Sequence, residues 1–254
     1  MNDISGIMID MDGTVYKGGE VIKGAPEFIE RLKKKGIPFV FLTNNSASGR
    51  KHYLNKLKGM GFNVTIDNIL TSATATFRYI NKHRKNASVY PVGTHKFVEE
   101  AKEAGIRITD GDPDIVLLAF DTSITYEKMN KAYNFIKNGA EFIATHPDDL
   151  CPTEDGYDID IGPFIRFFET MTGVSATVIG KPNELMIEMA AENMNVRKEG
   201  SVMIGDRLYT DIKMAADNNI RSILVFSGET KEEDLENSDI KPTMTAGSVD
   251  ELFR

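Results

Sequence analysis

Two hydrophobic periods alternate along this chain. Short, nearly continuous apolar runs read as buried strands, and the stretches between them repeat their apolar residues every three to four positions, as amphipathic helices do. "GIMID" (6–10), "IPFVFLTNN" (37–45), "ASVYPVG" (87–93), "PDIVLLAF" (113–120), "AEFIATHPD" (140–148), "GSVMIGD" (200–206) and "IRSILVFSG" (220–228) belong to the first kind. Residues 27–35, 95–105, 125–139, 162–173, 183–194 and 210–219 belong to the second. "SASGRKHYLNKLKGMG" predicts a helix capped by Ser46 or Ser48 and ended by Gly59 or Gly61. "VYKGGEVI" predicts a tight hairpin around Gly18-Gly19, and "LCPTEDGYDID" a loop. "SATVIGKP" ends near Pro182, and "TMTAGSVDELF" closes the chain as a short strand and helix. Strands alternating with helices predict an α/β fold with a mainly parallel sheet.

The 254 residues are enough for one large domain or two modest ones. Net charge is -8, from 30 Lys and Arg against 38 Asp and Glu, and no basic stripe is present. Both features argue against nucleic acid as a partner. Cys151 is the only cysteine, so no intrachain disulfide forms, and a partly buried small side chain is its expected role. "MNDISG" lacks the basic and apolar regions of a leader, and no apolar run approaches the roughly 18–20 residues of a membrane span. A cytoplasmic protein with no membrane partner is the expectation.

Candidate chemistry collects where the strands end. In open parallel sheets ligands gather at the carboxyl ends of strands. The first strand ends in Asp10 and Asp12, the second in Thr43-Asn44-Asn45, "VIGKP" in Gly180-Lys181, and "VMIGD" in Gly205-Asp206, with Asp211 five residues on. Carboxylates crowded at one rim are tolerable around a hard cation, and an oxygen-lined site suits Mg2+. A Thr hydroxyl, backbone N–H groups and a Lys would hold an anionic group beside it, the arrangement phosphoryl transfer uses.

"DMDGT" at 10–14, Thr43, Lys181 before Pro182, and "GDRLYTD" at 205–211 resemble the four motifs of haloacid-dehalogenase-like phosphatases, in the same order. The hairpin "VYKGGEVI", with "FLTNNS", "FIATHPD", "IGKP" and "GDRLYTDI", narrows the resemblance to the nitrophenyl-phosphatase and NagD-like enzymes. It spans essentially the whole chain. The resemblance implies a Rossmann-like catalytic core (1–78 plus 179–254) with an inserted α/β cap (79–178) that governs substrate choice. It implies Asp10 as nucleophile, forming an aspartyl-phosphate, and Asp12 as general acid and then base. Mg2+ would be held by Asp10, Asp12 (through its carbonyl) and Asp206, with Asp211 in support. Thr43, Asn44 and Lys181 would bind the phosphoryl group. His146, in "ATHPD", faces either the substrate or a surface turn. Asn45, Arg207 and Gly13 are neighbours without a firm role. Asp148, Asp149, Glu154, Asp155 and Asp158 form an acidic loop that should disfavour strongly anionic leaving groups.

The expected activity is Mg2+-dependent hydrolysis of small phosphorylated metabolites such as nucleoside monophosphates, sugar phosphates or nitrophenyl phosphate. Related caps pair, so a homodimer is one option. A phosphomutase or other phosphotransferase is the nearby alternative, disfavoured by the late insertion of the cap. A dehalogenase is disfavoured by Asp12. A catalytically silent binding module would have lost Asp10, Asp12, Lys181 or Asp206, and all four are present.

Overall fold

A computed structural model describes residues 4–153 and 156–254. The chain divides into two compact units. One comprises residues 1–43, 50–70 and 181–254, the other 44–49 and 71–180.

In chain order, the first unit opens with β1 (Gly6–Asp10), a hairpin of β2 (Tyr16–Lys17) and β3 (Glu20–Val21), and α1 (Ala25–Lys34). β4 (Phe39–Thr43), α2 (Arg50–Gly59) and β5 (Ile69–Thr71) follow. The second unit contains α3 (Ser72–His83), β6 (Ser88–Val92), α4 (His95–Glu103), β7 (Arg107–Ile108), β8 (Ile115–Leu118), α5 (Tyr126–Lys137) and β9 (Glu141–Ala144). A ribbon of β10 (Leu150–Thr153) and β11 (Gly156–Ile159), then α6 (Gly162–Thr172) and β12 (Thr177–Val178), complete it. The chain returns to the first unit through α7 (Glu184–Met194), β13 (Ser201–Gly205), α8 (Lys213–Asp217), β14 (Arg221–Val225), α9 (Glu232–Glu236) and β15 (Met244–Ala246).

The first unit is built on a six-stranded sheet ordered β15-β14-β13-β1-β4-β5. Its pairings from β15 through β4 are parallel. β1 is buried at every residue, as a central strand covered on both faces must be, and this explains its unbroken apolar run. One face packs Ile7, Ile9, Phe41 and Ile204 against Phe28, Ile29 and Leu32 of α1 and against Tyr53 and Leu57 of α2. On α1 the buried positions are Ala25, Phe28, Ile29 and Leu32, a single helical stripe. The chain leaves β1 toward β4 on one side and later returns to β13 on the other. The order therefore reverses at β1/β13, the switch point at which such sheets bind ligands.

The second unit carries a parallel five-stranded sheet ordered β12-β9-β8-β6-β7. Phe142 and Phe168, both fully buried, meet edge-on at 5.5 Å within its core of Val116, Leu118, Ile136 and Ile165.

Four local expectations are corrected. The helix expected from Ser46 begins at Arg50, because the Ser46 hydroxyl is engaged with the Phe120 N–H. In place of the loop expected at 150–160, β10 and β11 form an antiparallel ribbon pairing Leu150 with Ile159 and Pro152 with Tyr157. The 210–219 helix starts as a π-type turn, Leu208–Ile212, before α8. The closing helix is a single 3-10 turn at Val249–Glu251. Glu154 and Asp155 of the acidic loop lie outside the described residues.

Candidate active site

β1 and β13 are direct neighbours in register, with Ile9 opposite Ile204, so their carboxyl ends deliver Asp10 and Asp206 to one place. The π-type turn after β13 then brings Asp211 back over Gly205, where a Cβ would lie 2.4 Å from the Asp211 Cγ. Carboxylate oxygens of Asp10, Asp206 and Asp211 all fall within 4.8 Å of one another, and all three residues are buried.

Lys181, itself only 3% exposed, donates to Asp10 Oδ1 and, at 2.7 Å, to Asp211 Oδ1. Burial pulls the pKa of this ammonium down, but Asp10 and Asp211 together outweigh it and raise the lysine above its ordinary value. Further oxygens of Asp211 and Asp206 have their own donors. Asp211 Oδ2 accepts the Arg207 N–H at 3.2 Å, and Asp206 Oδ2 accepts the Glu229 N–H at 2.7 Å. The Thr14 hydroxyl stands 3.4 Å from Asp206 Oδ1. Asp206 fits because two glycines leave room for it: a Cβ on Gly13 would stand 2.2 Å, and one on Gly228 2.0 Å, from its Oδ2. Gly13 also has φ +84°, a conformation that favours glycine.

The electrostatics are unbalanced. Burial pushes the Asp10 carboxyl well above the usual range, and Asp211 and Asp206 add to the rise against the opposing pull of Lys181. Burial and Asp211 raise Asp206 to about 6. Arg207 and Glu229 pair with each other at 2.9 Å and so largely cancel. Three carboxylates against the single ammonium of Lys181 leave two negative charges. Hard oxygen donors carrying a surplus of two charges fit a divalent cation such as Mg2+.

Asp12 lies outside this carboxylate group and is partly exposed on the turn leading into β2, where it bridges to Tyr16. Burial raises its pKa, while Lys56, the Gly18 N–H, Arg207 and Lys17 pull it down. Lys56 Nζ rests 3.9 Å from the centre of the Tyr16 ring. Thr43 ends β4, the strand paired with β1 on its other side.

Two expected site residues belong to the second unit. Asn44 donates through Nδ2 to Asp148 Oδ1 at 2.9 Å, and its carbonyl accepts the Ser72 hydroxyl at 2.5 Å. His146 is fully buried, with Nδ1 2.9 Å from Thr145 Oγ1 and Nε2 2.9 Å from Asp160 Oδ1. It does not lie on a surface turn, and a substrate contact would require breaking one of those bonds. In the acidic loop, Asp149 is paired with Arg166 at 2.7 Å.

Sequence reasoning passed over Thr14, Gly228 and the Glu229 N–H. A glycine two residues past the apolar run ending at Phe226 was the one available signal for Gly228; a backbone donor leaves none.

Residues 7–107 match a family model described as haloacid dehalogenase-like hydrolase, and residues 178–252 match one described as HAD-hydrolase-like. A 5'-nucleotidase, YutF, of Bacillus subtilis is 35% identical over 251 residues, covering 99% of this chain and 98% of the relative. An acid sugar phosphatase of Staphylococcus epidermidis is 35% identical over 244 residues, covering 96% and 94%. The crystal structure of a 4-nitrophenylphosphatase from Thermotoga maritima superposes with a TM-score of 0.95 at 39% identity, covering 99% of this chain and 97% of that one.

Proposed function

The chain belongs to the haloacid dehalogenase-like hydrolase family, in its NagD-like and nitrophenyl-phosphatase branch, and from that premise we propose a Mg2+-dependent phosphatase acting on small phosphate monoesters. Nucleoside monophosphates, sugar phosphates and 4-nitrophenyl phosphate are the substrates suggested by what its relatives are named for. The observation that carries this reading is the buried group of Asp10, Asp206 and Asp211 with Lys181 at the carboxyl ends of β1 and β13.

A carboxylate oxygen of Asp10 attacks phosphorus, forming an aspartyl-phosphate (a mixed anhydride) at Asp10 as the bond to the leaving oxygen breaks. The Asp12 carboxyl, its pKa raised by burial, gives its proton to that leaving oxygen, releasing the alcohol. The Asp12 carboxylate then takes a proton from water. The water oxygen attacks phosphorus, the Asp10–phosphorus bond breaks, and phosphate leaves with both aspartates restored. Thr43 and Asn44 hydrogen-bond the phosphoryl oxygens. Lys181 keeps Asp10 oriented and offsets its charge, while Asp211 holds Lys181. The Asp10 and Asp206 side chains and the Asp12 carbonyl would hold Mg2+, which supplies charge neutralisation for the phosphoryl oxygens when bound. Residues 79–178 act as a cap that selects the leaving group.

Purified protein supplied with Mg2+ should release nitrophenol from 4-nitrophenyl phosphate, and Asp10→Asn should abolish that release. Wild-type turnover in the variant refutes the assignment of the nucleophile.

A further inference from the structure

We propose that His146 is a positioning residue for phosphate binding, fixing the two places where the chain passes between its units next to Thr43 and Lys181. The inference rests on reading those two residues as contacts of the phosphoryl group.

The imidazole has no exposed surface, and it sits just past the end of β9 as the hub of a buried polar network. Through Nε2 it meets Asp160 Oδ1, which also accepts the Ile161 N–H at 2.8 Å where α6 begins. Through Nδ1 it meets the Thr145 hydroxyl. Thr145 Oγ1 lies 3.1 Å from Ser46 Oγ, which in turn accepts the Phe120 N–H at 2.9 Å. Residues 44–46 are thereby tied to the strand end at 145–148 twice, through Ser46 to Thr145 and through Asn44 Nδ2 to Asp148.

Gly180 is held by the same strand end. Its N–H donates to the Thr145 carbonyl at 2.8 Å. A Cβ at 180 would stand 2.6 Å from that carbonyl, 2.7 Å from Asn44 Oδ1 and 3.0 Å from the His146 Cβ. Asn44 is peptide-bonded to Thr43, and Gly180 to Lys181. The strand end that carries His146 thus holds the immediate chain neighbour of each, Asn44 through Asp148 and Gly180 through the Thr145 carbonyl. A buried polar group left without its partner costs about 1–3 kcal/mol, so the ring does not give up these bonds lightly. A buried polar hub makes sense as a device for fixing geometry, because misplacing a binding group by ~1 Å can cost ~100-fold in rate.

The test is a calorimetric titration of inorganic phosphate, with Mg2+ present, into wild type, His146→Ala, Thr145→Val and Thr145→Ser, with thermal melting of each. Thr145→Val keeps the side-chain volume and removes only the hydroxyl that links His146 to Ser46. Phosphate affinity and KM should both weaken about tenfold in His146→Ala and Thr145→Val and stay within about twofold of wild type in Thr145→Ser. Should His146→Ala fail to fold, Thr145→Val decides. Variants that melt earlier yet bind phosphate as tightly as wild type would overturn the proposal, since the network would then serve stability alone. So would a wild type that binds no phosphate. A wild type that binds phosphate without turning over 4-nitrophenyl phosphate would refute the phosphatase reading, and the affinity ratios would still decide this one.

Discussion

Gly228→Ala is the smallest change that displaces a proposed metal ligand. The backbone of Gly228 lies outside the left-handed region, so alanine brings no conformational strain, only a methyl group. That methyl would stand 2.0 Å from Asp206 Oδ2 and 2.4 Å from its Cγ. Real Cβ atoms essentially never come within 3.0 Å of a heavy atom, so the carboxylate must retreat by at least about 1 Å. Asp206 is 1% exposed and has no solvent to retreat into. Its 2.7 Å bond from the Glu229 N–H is lost first, at about 1.5–3 kcal/mol for a charged acceptor. A shift of that size in a positioned group also lowers rate by about 100-fold. Hydrolysis of 4-nitrophenyl phosphate across a Mg2+ series should show kcat/KM down about 100-fold and half-saturation moved to higher Mg2+. Gly36→Ala is the control: its φ is +65° and nothing lies within 4 Å, so it should cost about 1 kcal/mol of stability and leave turnover alone. Wild-type turnover and Mg2+ demand in Gly228→Ala would refute the placement of Asp206 against this glycine.

The raised Asp206 sets a second expectation. Its folded pKa, about 6, lies above the ordinary 3.8, so the folded state takes up a proton first. The stability tied to that proton is present at low pH and lost as pH rises through 6. In chelator the melting temperature should therefore rise from pH 7.5 to 5.5, and Asp206→Asn should flatten the change; a steady fall identical in both proteins would contradict it. Lys181→Met removes the ammonium between Asp10 and Asp211, and breaking a buried pair costs about 3–5 kcal/mol. Urea unfolding should show that loss and a partial recovery in Lys181→Met with Asp211→Asn, whereas equal loss in single and double variants would mean that charge is not the cause.

The parts of the fold legible in the sequence were those with a local cause. β1, β4, β8 and β13 are buried on both faces, so each announces itself as an apolar run whatever surrounds it. The motifs at 10–14 and 205–211 are short enough to be read without knowing the fold. The turn of chain around α3 was not read, because its first buried residues, Ser72, Ala73, Thr74, Ala75 and Thr76, are small or polar and only Phe77 and Ile80 add large apolar side chains. Its start is marked only by the Thr71 hydroxyl capping the Thr74 N–H. The late start of α2 was equally hidden, since what occupies Ser46 is an N–H 74 residues away. His146 illustrates the same limit: the sequence shows a polar residue at a strand end, and only Asp160 and Thr145, folded against it, turn the ring inward.

The surplus of negative charge links the site's stability to its chemistry. Taking an ion out of water costs several kcal/mol, and Lys181 compensates only part of that for Asp10, Asp206 and Asp211. A sequence under pressure for stability alone would replace one carboxylate with an amide of the same shape. Retaining all three makes sense if a divalent cation completes the balance. Its binding free energy then adds to folding, about 2.7 kcal/mol at a concentration 100 times Kd. Burial first, and the neighbouring carboxylates after it, raise Asp10 and Asp206, so protons compete with the cation for the oxygens that must hold it. Metal affinity should therefore weaken over the pH range in which the metal-free fold gains stability, and that opposition follows from placing two carboxylates at the adjoining ends of β1 and β13.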